Sequence, residues 1–439
     1  MNLLKPFSCH TRAALLFCLI PLLFTVVFPQ PEGLTPVEQE IAATVEQQSD
    51  QAVDLLRRSV NINSGTFNVK GVRRVGKLFQ KELAPLGFDV QWIDMPPELH
   101  RAGHLFAYRR GTRGKGVLLI GHLDTVFDKN TPFKRFEIHD TTATGPGTED
   151  MKGGNVVIVY ALKALHDLSL LENTTIIVAL HGDEEEAGRP TSISRRDIQA
   201  AAEECDVALG FEGGVSGTIT VARRGISGWR LETAGIRGHS SDIFNENSGN
   251  GAIYETARIL NGFFEEVRGE EYLTFNPGVI LGGTEVHFDP ALYRGSAFGL
   301  ANVIAQKVVV SGDLRFISDA QKDSARAKMR TIVADHLPGT SASISFTDSY
   351  PAMAPTEGNY ELLALYDQVN RDLGYGPIEA LDPGSRGAAD VSFVARLVDC
   401  LDGLGVEGNG GHSIHEKVYL PSMDRATKRA AVLVYRLTR

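Results

Sequence analysis

The sequence is poor in cysteine, in basic charge and in repeated segments, and these shortages narrow the classes of protein to consider. Four cysteines occur in 439 residues, and two of them lie in the first 30 positions. Cys205 and Cys400 remain, either as a pair in an oxidising compartment or as buried thiols. The formal net charge of -10 argues against a nucleic-acid partner, because phosphate binding needs clustered lysine and arginine. No internal repeat or low-complexity tract occurs.

Long hydrophobic runs are also scarce, and the clearest one is N-terminal. Lys5 and Arg12 precede about sixteen apolar residues from Ala13 to Phe28, and a proline-rich polar stretch follows. This order is typical of a secretory signal, so residues 1–30 are predicted to be a signal peptide and the protein to be periplasmic or secreted. The segment lacks a clear Ala-x-Ala cleavage site and is short for a spanning helix, which leaves an uncleaved N-terminal membrane anchor as the alternative.

The rest of the chain has enough apolar residues for two domains, since 43% of the 439 residues are hydrophobic. Strands alternate with helices over residues 36–216, which predicts an α/β catalytic domain with a mostly parallel sheet covered by helices. Residues 217–350 change to strand, helix, two strands, helix and strand, the order of a ferredoxin-like α+β domain. The first pattern resumes over residues 351–439, so the second domain is predicted to be inserted into the first.

Polar side chains follow the first buried strand of this pattern. Residues 115–120 form a short apolar run, and His122 and Asp124 come directly after it. Because alternate strand positions share a face, His122 can give one ring nitrogen to a metal while Asp124 accepts the proton of the other. Asp150 would add a carboxylate able to bridge two ions. On its own, the His-x-Asp pair is more typical of a capping or core role.

Three further segments supply imidazole and carboxylate groups. An acidic cluster at residues 183–186 follows the apolar run 174–180, Glu212 follows the run 207–211, and a glycine-rich loop near the C-terminus carries His412 and His415. A cluster of carboxylates at the end of a buried strand is costly unless a positive charge meets it. A solvated helix N-terminus is the alternative for that cluster. Together, the mixture of imidazole and carboxylate suits zinc, cobalt or manganese better than calcium or magnesium.

These motifs, in this order, resemble those of the M20 family of co-catalytic zinc metallopeptidases, and within it the glutamate carboxypeptidases of the carboxypeptidase G2 type. The resemblance covers nearly all of the chain after about residue 40. It implies a site for two Zn²⁺, with Co²⁺ or Mn²⁺ as alternatives, whose ligands are His122, Asp150, Glu185, Glu212 and His412. Asp150 would bridge the ions, Glu184 would be the general base, and Asp124 would orient His122.

Two assignments stay open in this comparison. The family pattern is Asp-Glu-Glu-x-Gly, whereas residues 183–188 read Asp-Glu-Glu-Glu-Ala-Gly. Counting from the aspartate makes Glu184 the base and Glu185 the ligand, while counting back from the glycine makes Glu185 the base and Glu186 the ligand. We prefer the first count. The C-terminal motif His-Ser-x-x-Glu favours His412 over His415 as the ligand.

The same resemblance implies roles for four residues outside the ligand set. His239, in a Gly-x-x-Gly-His motif, is expected to stabilise an oxyanion in the site of a partner subunit, within a homodimer formed through the inserted lid domain. Asn302 and Arg315 are expected to hold the substrate. Arg386, before an expected helix from Val391 onward, would be a second anchor for an anionic group. The alternative for His239 is a turn residue, and the alternative for Asn302 and Arg315 is a structural strand pair with a surface arginine. The alternative for the segment of Arg386 is a glycine-rich turn.

The sequence therefore predicts an enzyme that hydrolyses an amide bond next to a free carboxylate in a small peptide or N-acyl amino acid, and that releases C-terminal glutamate or a similar amino acid. An N-acyl-amino-acid amidohydrolase or a dipeptidase is the alternative within the same chemistry. A non-catalytic zinc-binding or peptide-binding module is the alternative from another class.

Overall fold

The computed structural model describes residues 33–290 and 292–439. The predicted leader, residues 1–30, lies outside the described residues. Within the two described ranges, no helix is both long and apolar enough to cross a membrane.

Two stretches of the chain build a larger unit around a six-stranded sheet. The first stretch contains α1 (Pro36–Gln47), α2 (Ser49–Val60), α3 (Val69–Leu83), β1 (Asp89–Ile93), β2 (His104–Arg109), β3 (Arg113–His122), β4 (Glu137–His139), β5 (Thr142–Thr144), α4 (Lys152–Asp167), β6 (Thr174–His181), α5 (Thr191–Ser194), α6 (Arg196–Ala202), β7 (Val207–Gly210) and β8 (Thr218–Ile219). An inserted unit follows: β9 (Gly225–Gly235), α7 (Gly251–Glu266), β10 (Thr274–Gly283), β11 (Glu285–Asp289), β12 (Arg294–Phe298), β13 (Lys307–Phe316), α8 (Asp319–Ala334) and β14 (Thr340–Asp348). The second stretch contains α9 (Glu357–Asp372), β15 (Glu379–Ala380), β16 (Asp399–Leu401), β17 (Gly408–Asn409), β18 (Lys417–Tyr419) and α10 (Leu420–Leu437).

The large sheet has the strand order β1-β2-β6-β3-β7-β16. The pairs β6–β3, β3–β7 and β7–β16 are parallel, and the pairs that add β2 and β1 are antiparallel. The predicted α/β class is confirmed. The carboxyl ends of β3, β6 and β7 meet at one edge of the sheet, and polar groups that follow these strands are therefore brought together.

Helices cover both faces of this sheet, which explains the continuous apolar runs. On β3, Val117 and Leu119 pack into a core with α1, α2, α4 and α10, whereas Leu118 and Ile120 pack into a second core with α6. A strand that is buried on both faces needs apolar residues at every position rather than at alternate ones.

The inserted unit forms a four-stranded antiparallel sheet in the order β10-β13-β9-β14. One face of the sheet packs against α7 and α8 through side chains such as Trp229, Val310, Phe263 and Met329. The hairpin β11–β12 is an addition to the expected order of elements. Asp313, on the sheet face away from the helices, lines a cavity together with Arg189 of the larger unit.

One expectation from the sequence is changed by the structure, and one open choice is decided by it. The helix expected from Val391 onward is only a single 3₁₀ turn, Asp390–Phe393. The carboxylate of Asp390 accepts a hydrogen bond from Arg195. Cys205 and Cys400 are separate free thiols.

Candidate metal centre

A first cluster of potential ligands forms where β3 and β7 end. His122, at the end of β3, has its Nε2 atom 3.1 Å from Oδ1 of Asp150 and 3.7 Å from Oε1 of Glu212. The ligand atoms of these three residues all lie within 4.8 Å of one another. Asp150 stands just before α4, and Glu212 follows β7. The elements that the sequence placed at one sheet edge therefore bring these side chains to one point.

A second cluster uses the other oxygen of the same aspartate. Nε2 of His412 lies 3.0 Å from Oδ2 of Asp150 and 3.1 Å from Oε2 of Glu185, and these three residues also offer ligand atoms within 4.8 Å of one another. Each oxygen of Asp150 thus faces a different cluster. This is the arrangement by which one carboxylate bridges two metal ions.

The electrostatics of the two clusters favour cations. Burial, together with neighbouring acids, raises the pKa of Glu212 to about 8, and burial raises that of Glu185. Hydrogen bonds to Asp150 and Glu185 raise the pKa of His412 to about 11. Carboxylates that resist ionisation beside imidazoles that hold protons indicate an excess of negative charge, which bound metal ions would neutralise. The imidazole and carboxylate donors fit zinc, cobalt or manganese.

Asp124 connects the first cluster to the acidic loop after β6. Its backbone carbonyl is 3.1 Å from Nδ1 of His122, and its carboxylate oxygen Oδ1 is 3.4 Å from the same atom. Thr66 donates a hydrogen bond to the carboxylate at 2.6 Å, and the N–H groups of Glu184 and Glu185 donate to it at 3.0 and 3.2 Å. Asp124 therefore fixes the ring of His122 and the backbone of the loop at the same time.

The three consecutive glutamates of this loop occupy different environments. Glu185 belongs to the second cluster. Glu184 is partly buried beside the candidate ligands, and desolvation holds its pKa well above the usual value for a glutamate. Glu186 is exposed. The geometry supports Glu185 as the ligand with Glu184 next to it, and it gives no support to Glu186 as a ligand.

Glu416 has a structural role that was not assigned from the sequence. Its buried carboxylate accepts hydrogen bonds from the N–H groups of Gly147, Glu149 and Asp150 at 2.9, 2.9 and 3.1 Å. It thereby ties the loop that carries Asp150 to the loop that carries His412. The Glu of the His-Ser-x-x-Glu motif was the available signal. His415, three residues after His412, is exposed and lies in neither cluster.

Arg386 lies beside the first cluster. It donates a hydrogen bond to the carbonyl of Gly213, one residue after the ligand Glu212. Burial and the neighbouring Arg223 guanidinium lower its pKa, while Glu212 and Glu149 act in the opposite direction. A guanidinium is thus present near the candidate ligands.

The remaining predicted residues lie on the inserted unit and not in the clusters. His239 is exposed, and its Nδ1 atom is 2.8 Å from the Oγ atom of Ser241. Asn302 is its neighbour, because the Asn302 carbonyl accepts a hydrogen bond from Ser240 N–H at 2.9 Å. Arg315 pairs with Asp313 at 2.8 Å. The structure of one chain therefore does not bring these three side chains to the ligands.

Comparison with known proteins agrees with this arrangement. The profile described as "Peptidase family M20/M25/M40" matches residues 118–436. Carboxypeptidase G2 from Pseudomonas sp. (strain RS-16) is 27% identical over 403 residues, covering 90% of each chain. Succinyl-diaminopimelate desuccinylase from Acidovorax ebreus (strain TPSY) is 24% identical over 371 residues, covering 79% of this chain and 88% of the relative. The crystal structure of aminopeptidase PepT from Bacillus cereus ATCC 10987 superimposes with a TM-score of 0.71 at 17% identity, covering 89% of this chain and 99% of the other.

Proposed function

The chain belongs to peptidase family M20/M25/M40, and from this premise we propose that it is a di-zinc peptidase that hydrolyses an amide bond next to a free carboxylate. The observation that carries the proposal is the pair of candidate ligand clusters that share Asp150, with the partly buried Glu184 beside them. Cobalt or manganese are the alternative metals, because the same donors bind them.

The residues around the clusters suit this reaction. Two bound zinc ions would polarise the scissile carbonyl and lower the pKa of a bound water. Glu184 would remove a proton from the attacking water and return it to the leaving nitrogen, since a partly buried carboxylate with a raised pKa can both accept and donate. Asp124 would keep His122 in the orientation that offers Nε2 to the metal. Arg386 would attract the anionic part of the substrate.

The substrate class that we propose is a small peptide or N-acyl amino acid from which C-terminal glutamate or a similar amino acid is released. The similarity to a carboxypeptidase along 90% of both chains supports this choice. The similarity to a desuccinylase supports the alternative, an N-acyl-amino-acid amidohydrolase or dipeptidase. Side-chain selectivity would be set by groups of the inserted unit, among them Arg315.

The inserted unit is proposed to be a lid and the contact of a homodimer. Large apolar side chains are exposed on α7 and on nearby strands, at Ile253, Tyr254, Phe264 and Ile280. Such a concentration of exposed apolar groups is typical of a protein interface. In this dimer His239 would reach the site of the partner subunit. We also propose export to the periplasm or secretion, on the basis of the N-terminal segment 1–30.

The test of the enzyme is metal content together with hydrolysis of a panel of N-acylated amino acids. We expect about two metal ions per chain and preferential release of glutamate. A protein with two metals that hydrolyses nothing in the panel would exclude the peptidase, and a protein that binds no zinc, cobalt or manganese would exclude the metal site. A preference for acyl groups over the released amino acid would favour the amidohydrolase alternative.

A further inference from the structure

The chain crosses between the two units twice, and the two crossings are hydrogen-bonded to each other. Arg223 and Met353 exchange backbone hydrogen bonds of 2.9 and 3.0 Å. The N–H of Ile226 donates to the carbonyl of Tyr350 at 2.8 Å, and the N–H of Ser349 donates to the carbonyl of Ile226 at 3.1 Å. The inserted unit is therefore attached to the larger unit through a short antiparallel ribbon.

Tyr350, in this ribbon, reaches the acidic loop of the metal centre. Its hydroxyl donates a hydrogen bond of 2.6 Å to the carbonyl oxygen of Glu184. The ring packs edge-on against Phe393, with centroids 4.9 Å apart. Since the N–H of Glu184 already donates to Asp124, the peptide groups on both sides of the Glu184 side chain are held by named partners.

A buried ion-pair network contacts the Tyr350 hydroxyl. Arg195 donates to the Tyr350 hydroxyl at 3.3 Å, to the carboxylate of Asp183 at 2.7 Å and to the carboxylate of Asp390 at 2.7 Å. Asp183 in turn accepts a hydrogen bond from Gly188 N–H at 2.8 Å, which closes the loop around the three glutamates. Arg195, Asp183 and Asp390 are all buried. Such a fully paired network fixes geometry, because leaving any member unpaired is costly.

We propose that Tyr350 is a positioning residue for Glu184. Through Tyr350, the position of the Glu184 side chain depends on the ribbon that connects the two units. The proposal rests on the proposed function for the role of Glu184. Tyr350 touches the backbone of Glu184 and not the ligands, so its effect falls on the placement of the base rather than on metal binding. A small misplacement of a catalytic group reduces turnover strongly while leaving substrate binding largely intact.

The test compares Tyr350→Phe with Ser349→Ala in the full, metal-loaded protein. Tyr350→Phe keeps the ring against Phe393 and removes only the hydroxyl. Ser349→Ala removes a neighbouring contact in the same ribbon, the 3.0 Å hydrogen bond from Arg189, and leaves the Glu184 carbonyl untouched. We expect Tyr350→Phe to lower kcat about tenfold with KM changed less than about twofold, at unchanged metal content. Ser349→Ala should keep the wild-type kcat.

Hydrogen exchange of the peptide 182–188 gives a second readout that needs no substrate. We expect faster exchange in Tyr350→Phe than in the wild type and in Ser349→Ala, because the loop loses one of its restraints. Unchanged exchange in Tyr350→Phe would overturn the proposal whatever the activity of the variant. A wild-type kcat in this variant would also overturn it. So would a loss of metal that accounts for the lower kcat. A wild-type protein that hydrolyses no substrate would overturn the proposed function. The exchange result would still show whether the Tyr350 hydroxyl restrains the loop 182–188.

Discussion

The two units of the protein hold their candidate functional residues in opposite ways. In the larger unit, the candidate ligands lie within hydrogen-bond distance of one another, as His122 and Asp150 do, and all of them except the exposed His412 are partly or fully buried. In the inserted unit, His239 and Asn302 are exposed and contact only their own neighbours. The difference indicates that one chain preorganises the candidate metal centre, whereas the roles proposed for His239 and Asn302 require another subunit or a substrate.

The largest expected effect tests the preorganised side of this comparison. Glu184→Gln should lower kcat by about 10²–10⁴-fold, because the amide cannot accept the proton of the attacking water. Metal content should be unchanged, since Glu184 belongs to neither ligand cluster. Turnover of an N-acyl-glutamate and metal analysis of the same sample are the measurements.

Its neighbours provide matched controls for that variant. Glu185→Gln should lose metal from the second cluster, and Glu186→Gln, at an exposed position, should keep both metal and turnover. Loss of metal in Glu186→Gln, with lost turnover but retained metal in Glu185→Gln, would show that the assignment of base and ligand is shifted by one residue.

The second prediction addresses the inserted unit. His239→Ala should lower kcat by about 10²–10³-fold if the imidazole stabilises the oxyanion of a partner subunit, although the residue is remote from the ligands of its own chain. An equimolar mixture of His239→Ala and Glu184→Gln chains, unfolded and refolded together, should regain activity, because a mixed dimer contains one intact site. A mixture that stays inactive, with mixed dimers present, would mean that His239 does not act across the subunits.

This contrast also explains which parts of the site could be predicted from the sequence. Apolar runs predict β3, β6 and β7, and polar residues directly after parallel strands must meet at one edge, so His122, Glu185 and Glu212 could be placed together. The motifs of the M20 family then distinguished ligands from other polar residues. The order of elements in the inserted unit followed from its periodicity, since strands and helices differ in the spacing of their apolar residues.

The parts that could not be predicted depend on contacts between distant segments. Arg195 pairs with Asp390, almost two hundred positions away, and Tyr350 meets Glu184 across the junction of the two units. No local pattern encodes such pairs. The helix expected from Val391 failed for the same reason, because tertiary contacts of Asp390 outweighed local helix propensity.

A third prediction tests how far preorganisation extends beyond the ligands. Glu416→Gln should weaken metal binding by about 10–100-fold, as do other changes in groups that orient ligands. The amide retains one acceptor oxygen where the carboxylate offers two, so not all three N–H groups of the Asp150 loop can be satisfied. Competition with a chelator measures the change. Glu407→Gln, whose side chain pairs with Arg425, is the control and should bind metal like the wild type; equal affinities in all three proteins would remove Glu416 from the centre.

The smallest expected effect concerns Arg315, and it tests whether the inserted unit binds the substrate carboxylate. The side chains of Arg315 and Asp313 are 33% and 41% exposed, and an ion pair that exposed adds little to stability. Arg315→Ala should therefore leave the free energy of unfolding nearly unchanged. If the guanidinium binds the substrate carboxylate, KM should rise about tenfold while kcat and metal content stay the same, because uniform binding is lost. Asp313→Asn, which frees the guanidinium from its partner, should not raise KM. An unchanged KM in Arg315→Ala would show that Arg315 is a surface residue of the sheet, and the recognition of the carboxylate would then fall to Arg386 in the larger unit.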